Sequence, residues 1–271
     1  MIDLLAPFQY DFMQRAFVAA IVVGGLCSTM GTYVVLRKLS FIGDGIAHAS
    51  FAGIVIAYLR NSSYYIGSGV VAVLTALAIG YTSRRGRVSF DTAIVVLFTA
   101  MFALGVFLMS QSQRYTIDLQ DYLFGNILAV TPNDLLVGVC LAAIVAATVV
   151  VLYRPLLYAS FDPTVAQASG INVAFADYAL LTLIALTIIV SLQTIGIILV
   201  AALLVTPAAA AQQLTRRFGP MMATSATLGI ASTVGGLYLS YYLHAASGAT
   251  IVLLATIIFF VALALGRKSR T

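Results

Sequence analysis

RKLSFIGDGIAHASFAGIVIAYLR, residues 37–60, places Arg37 and Lys38 ahead of an apolar run that reaches Arg60 with only Asp44 and His48 as ionisable residues inside it. As a helix, the 21 residues of 39–59 extend about 30 Å, the thickness of a bilayer's hydrocarbon core. The stretch reads as a membrane span with a basic flank, and the same grammar recurs along the chain.

The 271 residues are 62% hydrophobic and 8% charged, and all nine acidic residues are aspartates. That composition leaves too little polar surface for a water-soluble domain. Apolar runs set against turn signals give spans at 14–36, 39–59, 65–83, 91–109, 134–153, 176–193, 195–214, 219–241 and 249–266, an all-α, polytopic membrane helix bundle of eight to nine transmembrane segments. The count hinges on the pair 176–193 and 195–214, which only Gln193, Thr194, Ile195 and Gly196 separate; one broken helix there gives eight. The first run carries Asp3 and Asp11 ahead of it and is too long for a cleaved leader, so it reads as the first span. Cys27 and Cys140 fall inside spans as small apolar fillers. With no linker, low-complexity tract or repeat, residues 1–271 read as a single transmembrane domain.

The formal charge of +5 does not point to nucleic acid, because the basic residues cluster between apolar runs. Eleven of them, including Arg37, Lys38, Arg84, Arg85, Arg154, Arg216 and Arg217, fall in alternate loops, against Arg15, Arg60 and Arg114 on the other side. The positive-inside rule puts the eleven in the cytoplasm, with the N-terminus outside and the C-terminus inside. The longest outer loop, 110–133, is partly apolar and has the character of a re-entrant segment.

Counting inward from Lys38, Asp44 lies about 9 Å deep and His48 about 15 Å, near the midplane. Residues four apart share a helix face, so carboxylate and imidazole point the same way. Gly45, Ala49 and Gly53 form a small-residue stripe beside that face that admits a close neighbouring helix or a second copy. An unpaired aspartate at mid-membrane costs roughly 2.5–3.5 kcal/mol, and no Lys, Arg or second carboxylate lies deep in another span to offset it. Two copies meeting along this helix would converge two carboxylates and two imidazoles, a donor set for Zn²⁺ or Mn²⁺. The competing reading is a polar pair that only fixes packing. Ligation requires neutral imidazole, so metal passage should weaken in acid.

The segment FDPTVAQASGI, 161–171, carries a short-helix grammar: Asp162 as N-cap, Pro163 at the first helical position, and Gly170 as the stop. It lies on the basic side and ends in small residues around Ala166, suited to docking a partner. No GxxxxGK[ST] phosphate loop is present, so ATP would be bound by another subunit. HExxH, CxxC and GxSxG are absent too, which argues against an enzyme.

LRKLSFIGDGIAHASFAG (36–53), DYLFGNIL (121–128), FDPTVAQASGI (161–171), GIILVAALLVTPAAAA (196–211) and LSYYLHAASG (239–248) together resemble the permease subunits of bacterial ATP-binding-cassette importers for zinc and manganese. The resemblance implies an inner-membrane homodimer bound to two copies of a cytoplasmic ATPase and fed by an extracytoplasmic metal-binding protein. It further implies that 161–171 is the coupling helix, acting through Asp162, Pro163, Ala166 and Gly170, and that Asp44 and His48 line the path. No cofactor would be held permanently; the metal is cargo and moves by alternating access. The form GDGIAHAS is slightly closer to zinc-type members. With His244 as the one histidine of the outer loops, an outer receiving patch would have to come from Asp118, Asp121 and Asp134. The alternatives are a proton-coupled secondary transporter or channel using Asp44 and His48 as a relay, and a membrane scaffold that transports nothing.

Overall fold

The computed structural model describes residues 6–86, 88–111 and 127–268. These form α1 (Asp11–Leu36), α2 (Ile42–Leu59), α3 (Tyr64–Arg85), α4 (Phe90–Ser110), α5 (Pro132–Val151), α6 (Tyr153–Phe161), α7 (Pro163–Ala168), α8 (Val173–Ile195), α9 (Ile197–Leu214), α10 (Phe218–Leu243) and α11 (Ser247–Lys268), with single 3₁₀ turns at Ala6–Gln9 and Ile127–Ala129. No strand occurs among the described residues. Nine of the described helices have 18 residues or more, and eight of these are both long and apolar enough to cross a membrane. The ninth, α10, is as long as α1 but interrupts its apolar residues with Gly, Ser, Thr and Tyr. The chain is thus an all-helical, multi-pass membrane protein.

Local chemistry sets the helix ends. Lys38 adopts a left-handed backbone (φ 58°), so α2 starts at Ile42 and not at Leu39, where the apolar run begins. Between α8 and α9 the break is one residue, Gly196 at φ 82°, a conformation that glycine takes without a Cβ penalty. Helix α6 is absent from the sequence expectation, which ran a loop from Arg154. Pro155 stands in its first turn, where a missing N–H breaks no helical bond, and Leu156 and Ala159 give it a buried side.

Two compact units make up the fold: Met1–Val35, Gln120–Ala143 and Val190–Thr271 in one, Leu36–Leu119 and Ile144–Ile189 in the other. In the first unit, α9, α10 and α11 pack on one another, and α1 meets α10 along a seam of small and hydroxylated residues. Ser225 Oγ donates to the Ser28 carbonyl at 2.7 Å and Thr233 Oγ1 to the Ala20 carbonyl at 2.9 Å, while Gly24 and Gly229 bring the backbones together. Within hydrocarbon such close contacts and bonds, not burial of apolar area, hold helices together. Cys27 is buried there with its Sγ 3.1 Å from Ser191 Oγ.

The second unit is centred on α2, which packs against both α3 and α4. Gly53 lies against the Gly67 carbonyl of α3, Gly105 of α4 against Phe51, and Gly45 against Ile94 of α4. The rest of α2 is largely buried, with Ile42, Ile46, Phe51 and Val55 at 2% exposure or less. This unit also holds α6, α7 and the start of α8.

Candidate functional site

Asp44 and His48 stand one turn apart on the partly open face of α2. Their side chains are 49% and 25% exposed, on a helix whose neighbouring positions are closed. His48 Nδ1 lies 2.9 Å from the Asp44 carbonyl oxygen and 3.3 Å from Asp44 Oδ1. A carbonyl only accepts, so Nδ1 carries a proton in this arrangement, and in the neutral ring Nε2 keeps its lone pair. Among the described residues nothing bonds Nε2. A backbone acceptor on one ring nitrogen that leaves the other free is the usual orientation of a ligating histidine.

Aromatic rings fix the imidazole from the α4 side. Phe102 meets it edge-on with centroids 5.7 Å apart, Phe98 lies at 6.0 Å, and Phe102 in turn packs on Phe51 at 5.4 Å. The neighbours of the small-residue stripe belong to the same chain: Gly45 faces α4, Gly53 faces α3, and Ala49 is fully buried. The stripe therefore wedges α2 between two of its own neighbours and leaves the Asp44/His48 face outward.

Asp44 and His48 bring two side chains with metal-donor atoms together. Among the described residues no group of three or more His, Cys, Asp or Glu comes together. Of the outer residues, Asp118 and Asp121 lie outside the described residues, as does most of the loop 110–133. Asp134 is engaged in capping α5: its Oδ2 accepts from Thr131 N at 3.1 Å and Thr131 Oγ1 at 2.6 Å, and its own N–H donates to Thr131 Oγ1 at 3.2 Å, a reciprocal capping box. His244 ends α10 in a left-handed conformation, with Nδ1 3.1 Å from the Tyr241 carbonyl.

Helix α7 has the geometry its sequence predicts. Asp162 Oδ1 accepts from Thr164 N at 2.9 Å and Val165 N at 3.1 Å, and Pro163 occupies the first position, where its missing N–H is no loss. At the other end, Gly170 N donates to the Gln167 carbonyl and Ile171 N to the Ala166 carbonyl, both at 3.0 Å. With Gly170 at φ 82°, this is a Schellman stop. Ala166 is the one buried residue of the helix, whereas Val165 is 58% exposed and Phe161 just ahead of it 60%. Ala166 seats the helix; Phe161, Thr164 and Val165 present its outer face.

One cluster escapes local sequence reading. Asp177, in the second turn of α8, accepts from Arg37 Nη1 at 2.6 Å through Oδ1 and from Arg84 Nη1 at 2.9 Å through Oδ2. Arg37 Nε also donates to Ser160 Oγ of α6 at 2.8 Å. The available signal was an aspartate at the basic end of a span, opposite two arginine-bearing span ends.

Comparison with known proteins supplies a family. The chain matches the ABC 3 transport family over residues 9–266. It is 44% identical over 254 residues to the manganese transport system membrane protein MntC of Halalkalibacterium halodurans, covering 94% of this chain and 87% of that one. It is 38% identical over 257 residues to the chelated iron transport system membrane protein YfeD of Yersinia pestis, covering 95% and 86%. Among solved structures, PsaBC from Streptococcus pneumoniae in complex with Fab matches with a TM-score of 0.85 at 34% identity, covering 97% of this chain and 95% of that one.

Proposed function

The chain belongs to the ABC 3 transport family, and on that premise we propose that it is the permease subunit of an ATP-driven importer for a divalent transition metal. Manganese(II) is the cargo that relatives such as MntC favour, with zinc(II) and iron(II) as competitors. The observation that carries the reading is the Asp44/His48 pair on the partly open face of α2 with imidazole Nε2 unengaged. A carboxylate oxygen and a neutral imidazole suit borderline and hard divalent ions and not soft ones. Without thiolate ligands the site can release what it binds.

In this reading the whole chain, 1–271, works as one permease domain in a bacterial inner membrane, with its N-terminus outside and its C-terminus in the cytoplasm. A second copy brings its own Asp44 and His48, completing a four-ligand set across a two-fold axis. An extracytoplasmic metal-binding protein delivers the ion. A cytoplasmic ATPase dimer engages α7 at Asp162, Pro163 and the exposed turn around Thr164 and Val165, with Ala166 and Gly170 holding the helix in shape. Closure of the ATPases then switches the path from outward to inward. The ATP chemistry belongs to the partner, and the permease contributes a path.

The test is manganese(II) uptake into proteoliposomes holding this chain with its ATPase and metal-binding protein. Uptake should require ATP and fall by more than about 100-fold in Asp44→Ala and His48→Ala while the complex still assembles, since loss of a ligand exceeds the 10- to 100-fold effect of losing a ligand's support. Uptake that persists without the ATPase and follows a proton gradient would replace this reading with a secondary transporter. Unchanged uptake in both variants would remove Asp44 and His48 from the path.

A further inference from the structure

The Asp177 cluster shares no bond with Asp44 or His48, yet it is built more completely than a helix-end ion pair requires. Both oxygens of one carboxylate are taken by guanidinium groups from two other segments of the chain. Arg37 directly follows α1, Arg84 sits in the last turn of α3, and Asp177 lies near the start of α8. Arg37 and Asp177 are only 13% and 16% exposed, so their charges are screened far less than those of a surface pair. Arg37 Nη2 is buried with no protein partner, leaving the guanidinium a donor free for a second arrangement.

The cluster brackets α7 from both sides. Arg37 Nε bonds Ser160 Oγ, two residues before the Asp162 cap, and Ser160 Oγ is anchored in turn to the Leu156 carbonyl at 2.6 Å. Asp177 lies seven residues beyond the Gly170 stop. A cavity of about 310 Å³, bordered by Arg37, Ser160, Pro163 and Asp177, lies on one flank. A second, of about 470 Å³, bordered by Arg84, Pro163, Thr164 and Gln167, lies on the other. The short helix thus has space beside it, while its entering and leaving strands of chain are tied to the same three charges. From Arg37 the chain runs through Lys38, with its left-handed backbone, and straight into α2, where Asp44 is seven residues on.

We propose that Asp177 is a positioning residue for transport: its bonds to Arg37 and Arg84 make α7 and the end of α1 move together, so displacement of α7 reaches Asp44 and His48 through the turn 38–41. This rests on the permease reading above. A carboxylate shared by two guanidiniums is suited to the task because each bond is charge-assisted and directional, transmitting a pull without a continuous backbone. Aspartate fits better than a longer acid because it must reach two arginines from a fixed helical turn.

The test uses the full complex of this chain, ATPase and metal-binding protein in proteoliposomes, measuring manganese(II) taken up per ATP hydrolysed. In Asp177→Asn, ATP hydrolysis should continue while the ratio falls by about 5- to 100-fold, the range of a coupling free energy, and Asp177→Glu should recover part of it. Arg84→Gln, at the more exposed arm, should lower the ratio less and leave the amount of assembled complex unchanged. An unchanged ratio in Asp177→Asn overturns the proposal. So does loss of hydrolysis and uptake in parallel with loss of complex when Arg84→Gln keeps the wild-type ratio, because the cluster then only holds the fold. Absence of ATP-dependent uptake in the wild type would instead fail the permease reading itself.

Discussion

Adding one methyl group at Gly53 should loosen the helix that carries Asp44 and His48. A Cβ built there would lie against the Gly67 carbonyl, 2.7 Å from the Gly67 carbonyl carbon and 2.8 Å from Ser68 Cα, whereas ordinary contacts begin at 3.4 Å. These are backbone atoms, which cannot rotate aside, so α2 and α3 must separate by roughly 1 Å, an overpacking that costs about 1–3 kcal/mol. Gly69, in the same helix as Gly67, has nothing within 4 Å of its added Cβ. Gly69→Ala should therefore gain up to about 1 kcal/mol of helix propensity. The two substitutions are chemically identical and opposite in sign. Thermal unfolding of the purified protein in detergent should separate them, with Gly53→Ala lowering Tm by roughly 3–10 °C and Gly69→Ala leaving it level or higher. Equal Tm for the two variants would refute the close approach of α2 and α3, and with it the rigid seating of Asp44 and His48.

Two further outcomes follow from single bonds. Asp162→Ala removes the acceptor for Thr164 N and Val165 N and should cost α7 about 1 kcal/mol; hydrogen exchange should rise across 163–168 and less ATPase should co-purify. Ser225→Ala removes the 2.7 Å bond to the Ser28 carbonyl and should lower stability by only about 0.6 kcal/mol, and by no more than about 1.7, as for other side-chain bonds between membrane helices. A larger loss on unfolding in detergent would mean that this bond does more than join α1 to α10.

What the sequence makes legible is what local rules govern. The apolar runs become helices because hydrocarbon forces every backbone group to bond within its own segment. Helix α7 can be written down from Asp162, Pro163 and Gly170 because capping acts over three or four residues. The i, i+4 spacing places Asp44 and His48 on one face, and α2 displays them so. The start of α2 was misjudged because Leu39 and Phe41 look apolar while the backbone turns at Lys38. The stripe of Gly45, Ala49 and Gly53 announces a close neighbour without saying whose. Asp177 joins partners 140 and 93 residues away, and no periodicity reaches that far.

In the proposed reading, the question is how α2 can hold a metal site without trapping what enters it. Close contacts seat α2: Gly45 and Gly53 bring its backbone against α4 and α3, Gly105 lies against Phe51, and Phe98 and Phe102 pack on the imidazole. In this arrangement Asp44 and His48 bond to each other, so an arriving cation must exchange one interaction for another and gains only the difference. As proposed ligands, two side chains on one helix make a weak site, and further donors would come from outside this face of the chain. In the proposed homodimer, affinity would be set by how the α2 faces of two copies approach. A site shared in this way between two copies would be strong when the faces are together and weak when they part, which is what the proposed alternating access would demand of it.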